Sequence, residues 1–226
     1  MTTHIVIGAG QVGRAIAEVL GCEAHDLGST PVECDVLHVC FPWSDDFEAS
    51  VICYQAEYQP RLTVIHSTVP VGTSRRLGAV HSPVTGKHPR LAPSVRTFVK
   101  WFGGEQAGEA AAHFAAVGVP TRTTPWPETT EAGKLWQTLQ FGLLVAIEKE
   151  CVAFCEAVGA DPDIAYAEFN RTYSEGYAAM GEPFRLPVLA HVPGPIGGHC
   201  VIPNAHLTPA PLADMLIDLD RAWACE

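Results

Sequence analysis

The chain is poor in positive charge. Its 226 residues carry 14 Lys and Arg against 25 Asp and Glu, a formal net charge of −11. Nucleic acids and acidic membrane surfaces are held by clustered basic side chains, so neither is expected as a partner. Lysine is confined to Lys87, Lys100, Lys134 and Lys149, so a lysine inside a motif carries weight. No apolar run reaches the length needed to span a bilayer. There is no internal repeat and no low-complexity segment. No secretory leader is evident, because Met1-Thr2-Thr3-His4 runs directly into a strand pattern. The eight cysteines sit singly, several inside apolar runs (Cys40, Cys53, Cys151, Cys155). That usage fits reduced thiols and a cytoplasmic protein better than a disulfide framework. The ten histidines are also scattered singly, which reads as satisfied surface or core positions. His199, Cys200 and His206 match no usual zinc spacing, and no metal is expected.

What is present is a chain with 47% hydrophobic residues, long enough for about two domains. A short apolar strand from His4 to Ile7 runs into Gly8-Ala9-Gly10-Gln11-Val12-Gly13, and helical spacing follows over Arg14 to Leu20. This is G-x-G-x-x-G between a strand and a helix. The first glycine makes the turn, the second lets backbone approach a pyrophosphate, and the third lets the helix pack on the strand. The alternative is a glycine turn without a ligand. A second strand, Glu23 to Leu27, ends near Asp26, which is either a solvated turn aspartate or an acid placed to bond ribose hydroxyls and repel a 2′-phosphate, which would favour NAD over NADP.

Only Gly28 to Cys34 separates this strand from the next, Asp35 to Phe41, so the fold is expected to lack a helix there. Phe41-Pro42-Trp43 ends that strand where a cofactor edge would lie. A helix is predicted over Phe47 to Tyr58, a strand over Thr63 to His66, and a loop over Ser67 to Thr73 opening a helix at Ser74 to Leu77. Phe98 to Phe102 reads as a strand, Glu105 to Val117 as a helix and Pro120 to Pro127 as turns. Strands alternating with helices argue a doubly wound α/β parallel sheet of Rossmann type.

From Glu128 the pattern becomes all-helical. Thr129 to Val158 carries a long apolar stripe including Leu135, Leu139 and Leu143. Ile164 to Met180 reads as a second helix, and Leu212, Met215, Leu216 and Leu219 mark a last one. The expected domains are therefore 1–126, binding a dinucleotide, and 127–226, smaller and helical. Inside the second, Val192 to Pro203 reads VPGPIGGHCVIP. Its glycines and prolines argue a tight loop presenting one thiol, Cys200. Such a thiol is either a small buried hydrophobe or a nucleophile.

The order of these pieces resembles the UDP-glucose/GDP-mannose dehydrogenase family. The likeness rests on Ile5 to Gly13, Ser67-Thr68-Val69-Pro70-Val71-Gly72-Thr73, Glu131-Ala132-Gly133-Lys134 and Gly197-Gly198-His199-Cys200-Val201-Ile202-Pro203. It implies oxidation of a sugar alcohol by NAD through a thiohemiacetal and a thioester on a cysteine. By position it assigns Cys200 as nucleophile, Lys134 as oxyanion stabiliser and Thr68 as a holder of water beside the nicotinamide. Gly8, Gly10, Gln11, Val12, Gly13, Asp26, Phe41, Pro42, Ser67 and Thr68 would line the cofactor. It also implies a homodimer through the helix 129–158.

The chain departs from that family at several places. Val84 follows Ser82-Pro83 where the family has Glu, and Thr138 stands for an Asn one turn after the lysine. Asn204 replaces an Asp four residues past the cysteine, and His66 replaces the Glu of the first loop. A third, nucleotide-binding domain is not in the sequence. A smaller or different substrate is therefore expected. Two other readings stand beside this one: an enzyme like the β-hydroxyacid dehydrogenases, which need no cysteine, and a non-catalytic NAD-binding homologue.

Overall fold

The computed structural model describes residues 2–87, 89–198 and 200–224. The chain divides into two compact units, residues 1–134 and 135–226.

The first unit alternates strands and helices. In order these are β1 (His4–Ile7), α1 (Gln11–Leu20), β2 (Glu23–His25), β3 (Val36–Val39), α2 (Phe47–Tyr58) and β4 (Leu62–Ile65), then α3 (Thr73–Arg76), β5 (Val80–His81), α4 (Leu91–Thr97), β6 (Lys100–Gly103), α5 (Ala107–Ala115) and β7 (Thr121–Thr124). The strands form one sheet in the order β2-β1-β3-β4-β5-β6-β7. Neighbours from β2 to β5 pair in parallel. β6 runs antiparallel to β5 and carries β7 parallel to itself. The sheet is thus α/β and mostly parallel, as expected, but with a reversed two-strand edge. No helix separates β2 from β3.

Two local expectations are corrected, and one helix had not been anticipated. The Pro120–Pro127 passage contains β7, an edge strand of Thr-Arg-Thr-Thr whose polar residues show no apolar alternation. The strand expected from Phe98 begins at Lys100. Leu91–Thr97 is a helix that Pro93 disguises, because a proline in a first turn removes only an N–H that would be unpaired anyway.

Strand side chains alternate faces. Val6, Val36, Val64 and Phe102 point to one side and pack with Ile16 and Val19 of α1, Leu91 and Val95 of α4 and Phe114 of α5. Ile5, Ile7, Leu37, Val39 and Ile65 face the other side, against Phe47, Val51 and Tyr58 of α2. By the same alternation His4, His38 and His66 share the face of Val6, Val36 and Val64.

The second unit is helical. The long helix α6 (Pro127–Val158), whose first eight residues count with the first unit, opens on a proline, which tolerates the first helical position. A π-helical turn (Asp163–Glu168) leads into α7 (Phe169–Ala179), so the helix expected over Ile164 to Met180 starts with a wider turn. α8 (Val201–His206) and α9 (Pro211–Trp223) follow. The loop expected over Val192 to Pro203 therefore ends at Cys200, again because Pro203 sits in a first turn. Leu139, Ala146, Ile196, Val201, Ala205, Leu216 and Trp223 belong to the core of this unit. The described cysteines are free thiols. No helix of the described residues is long and apolar enough to cross a membrane.

Candidate active site

The chain leaves β1 for β2 on one side and returns to β3 on the other. Such a reversal opens a crevice at the carboxyl ends of β1 and β3. Gly8 lies there with φ +96°, its N–H donating to His25 O at 2.9 Å. A Cβ on Gly8 would come within 2.9 Å of Phe41 N, and one on Gly13 within 1.8 Å of Gly8 O. Only glycine lets α1 seat this close to the turn. Gly10 differs: a Cβ there would meet open space. It immediately precedes α1, whose start carries no side-chain cap and no acid. The leading N–H groups of α1 therefore suit an external acceptor. Gln11 and Pro42 are exposed, while Val12 and Phe41 are half-buried. Asp26 is exposed one residue past β2, and its Oδ1 accepts from Leu27 N at 3.0 Å.

The next strand ends add a polar shelf. Ser67, just past β4, is buried and donates from Oγ to Phe41 O at 2.6 Å, tying two strand ends together. Its own carbonyl lies 3.2 Å from His81 Nε2. A carbonyl only accepts, so Nε2 carries the proton and Nδ1 accepts from Thr130 Oγ1 at 2.8 Å. Burial pushes the His81 imidazole down to about 3, so it stays neutral.

Glu131 is fully buried, and its two carboxylate oxygens accept from Gly72 N at 2.6 Å and Ser74 N at 2.8 Å. This carboxylate fixes the Ser67–Thr73 loop to the first turns of α6. Thr68 is half-buried on that loop. Lys134, one turn beyond Glu131's neighbour Thr130, is half-buried and donates from Nζ to Val84 O at 3.0 Å. Thr138, the next turn on, is buried.

Cys200 and Asn204 belong to the helical unit. Cys200 is exposed at the position preceding α8. Asn204 is buried one turn later; its N–H donates to Cys200 O at 3.1 Å and its carbonyl accepts from Thr208 Oγ1 at 2.8 Å. His199 lies outside the described residues.

In the sheet unit, then, Gly8, Gly13, Phe41 and Ser67 come together at one strand edge, with Lys134 at the Val84 carbonyl. Reading from sequence passed over the capping role of Glu131 and the buried His81. Glu131 had a signal, since an acid shortly after a helix start is rarely buried without donors. His81 had none, because its partners come from β4 and α6.

The chain matches no protein-family model, and no curated protein matches it significantly. Among solved structures it is similar to the UDP-D-ManNAc dehydrogenase of Pyrococcus horikoshii, with a TM-score of 0.78 at 16% identity, covering 98% of this chain and 69% of that one. It is similar to the 3-hydroxyisobutyrate dehydrogenase of Mycobacterium tuberculosis, solved with L-serine, with a TM-score of 0.73 at 16% identity, covering 100% of this chain and 94% of that one. A third likeness is to Psf3 in complex with NADP+ and 2-OPP, at a TM-score of 0.63 and 14% identity, covering 97% and 93%. The chain thus has a dehydrogenase fold, a Rossmann-type sheet followed by helices.

Proposed function

We propose that the protein is an NAD-dependent oxidoreductase acting on a hydroxyl of a small or sugar-like substrate. The observation that carries this reading is the Gly8–Gly13 turn. Two glycines are packed against backbone while Gly10 faces open space at the head of an uncapped helix, at the reversal point of the sheet. The diphosphate would lie over Gly10, Gln11 and Val12. Asp26 would hold the ribose hydroxyls and disfavour a 2′-phosphate. Phe41, Pro42, Ser67 and Thr68 would flank the nicotinamide, whose chemistry when bound is to accept hydride.

The chain's own residues would do the rest. Lys134, drawn off the Val84 carbonyl, would offer its ammonium to the substrate oxygen, and Thr68 would orient water. Cys200 would attack the carbonyl of the first oxidation product, forming a C–S bond as the oxygen gains a proton. Thr138 and Asn204 would supply hydrogen bonds but no base, so release of an acid from the thiol would be slow. The exposed apolar side chains of α6, Trp136, Phe141, Ile147 and Phe154, favour a homodimer through that helix. Light scattering at the monomer mass would remove this part of the proposal.

The cofactor is tested by calorimetry with NAD and NADP. Micromolar NAD binding that weakens about tenfold in Asp26→Ala, the loss of roughly one charged hydrogen bond, is the expected result. Absence of binding to either nucleotide overturns the reading. A second reading is favoured by the near end-to-end likeness to the Mycobacterium tuberculosis enzyme: a single oxidation of a hydroxy acid, in which Lys134 acts and Cys200 does not.

A further inference from the structure

A row of nitrogen atoms crosses the buried face of the sheet. His4 Nδ1 lies 3.0 Å from His38 Nε2, and His38 Nδ1 lies 3.0 Å from His66 Nε2. His66 Nδ1 lies 3.2 Å from Lys100 Nζ and 2.7 Å from Ser82 O. Strand register explains the row. His4 pairs with Val36 and His38 with Val64, so each histidine stands two residues further along the next strand. The row therefore runs diagonally, from the start of β1 to the carboxyl ends of β4 and β5.

Its outer end, His4, is half-buried, whereas His38, His66 and Lys100 are buried. Phe114 packs edge-on against His38 and His66, and Lys100 lies over the rings of Phe102 and Phe114. Water is thereby kept off the middle of the row. At the inner end Lys100 also reaches Ser82 O at 2.9 Å and Pro83 O at 3.3 Å. Beside it lies a cavity of about 10 Å³, bordered by Pro83 and Val84, with room for one water. The Ser82 hydroxyl is buried with no partner among the described residues.

The contacts define a protonation state. Ser82 O can only accept, so its 2.7 Å approach puts a proton on His66 Nδ1. His66 Nε2 then accepts from His38 Nδ1–H, and His38 Nε2 from His4 Nδ1–H. Lys100 is satisfied as a neutral amine, donating two N–H bonds to the Ser82 and Pro83 carbonyls, while its lone pair takes the longer arm of a proton that His66 Nδ1 shares with Ser82 O. Burial independently lowers the Lys100 amine to about 7 and holds His38 and His66 well below the usual imidazole range.

We propose that His4, His38, His66 and Lys100 form a proton-conducting row linking solvent at the start of β1 to the Ser82–Val84 turn. A solvent proton binds His4 Nε2. The Nδ1 proton of His4 passes to His38 Nε2, that of His38 to His66 Nε2, and that of His66 to the Lys100 lone pair. One proton enters and one ammonium results, every ring is neutral before and after, and all three tautomers have switched from Nδ1–H to Nε2–H. The ammonium then donates to His66 Nδ1, Ser82 O and Pro83 O, and the ring and the Ser82 carbonyl, now both acceptors, draw apart from their 2.7 Å contact. The reverse sequence exports a proton from the strand end where Lys134 also binds Val84 O.

The groups that bear on this row are Asp35, just before β3, and His113 of α5 near His4, Cys40 just past β3, His81 of β5 and Lys134 of α6. His81 donates from Nε2 to Ser67 O and, among the described residues, has no base beside that nitrogen as Lys100 stands beside His66 Nδ1, so it does not join the switch. The row stands without the cofactor reading and is tested on nucleotide-free protein, so failure of either leaves the other untouched.

The test is long-range proton–nitrogen correlation spectroscopy of protein labelled with ¹⁵N-histidine, on both sides of about pH 7. The expected result is a joint change of His4, His38 and His66 from Nδ1–H to Nε2–H as pH falls, with one midpoint. Lys100→Met should lock all three as Nδ1–H. His38→Gln, which keeps the lysine, should leave His66 following Lys100 and uncouple His4. Tautomers that stay fixed, or that switch with separate midpoints, overturn the proposal, as does a His4 that still follows in His38→Gln.

Discussion

A thiol that attacks a carbonyl must be reachable, and Cys200 is an exposed thiol among cysteines that are mostly buried or half-buried. The half-buried Cys22 and buried Cys34 thiols are pushed up to about 11 by desolvation, which removes them as nucleophiles. Under the two-step reading, Cys200→Ala loses acid formation to background while NAD affinity stays unchanged, seen by product analysis and calorimetry. Full dehydrogenase activity in that variant selects the hydroxy-acid reading instead. At this scale the glycines were legible in the sequence, since a positive φ or a backbone contact restricts the residue type itself. His38, His66 and Lys100 were not. Each is an ordinary residue in or just past its own strand, and only the register of the sheet makes them neighbours.

Among the elements, the loop after β4 and the start of α6 depend on one another through Glu131. Removing its charge should leave one of the Gly72 and Ser74 N–H groups poorly bonded in a buried setting. Glu131→Gln is therefore expected to cost about 2 kcal/mol in urea unfolding. Glu128, nearby on the same helix, pairs with Arg75 in a half-exposed contact at the surface. Its replacement by Gln should change stability by less than about 1 kcal/mol. Legibility followed pattern strength here. α2 was readable to its end residues, Phe47 and Tyr58, because the apolar strands around it were separated by clear turn residues. The absent helix between β2 and β3 was readable from chain length alone. β7, α4 and α8 were hidden by a polar edge or by a proline within a first turn, where residue preferences point away from the structure formed. The thiol loop's residues were legible; the helix that follows it was not.

For the molecule as a whole, buried nitrogen bases set the response to pH. Lys100 falls from 10.5 to about 7 and His81 from 6.5 to about 3 on folding. In each interval the unfolded chain binds more protons than the folded one, so stability rises with pH there. The folded state should weaken as pH falls below about 6.5, where the histidines charge on unfolding, and strengthen from about pH 7 toward 9. Above that, Cys22 and Cys34 act in the opposite sense, since their folded values lie near 11. Denaturation midpoints measured across this range check the sign, and Lys100→Met should flatten the rise between 7 and 9. The shortened crossing from β2 to β3 has a further consequence for handling the protein. Residues 27–33 are exposed, Leu27 at 90%, and no sheet bond depends on them. That stretch is accordingly a natural port for engineering: a fluorophore, an affinity tag or a whole guest domain can be spliced into it while the strands on either side keep their pairing.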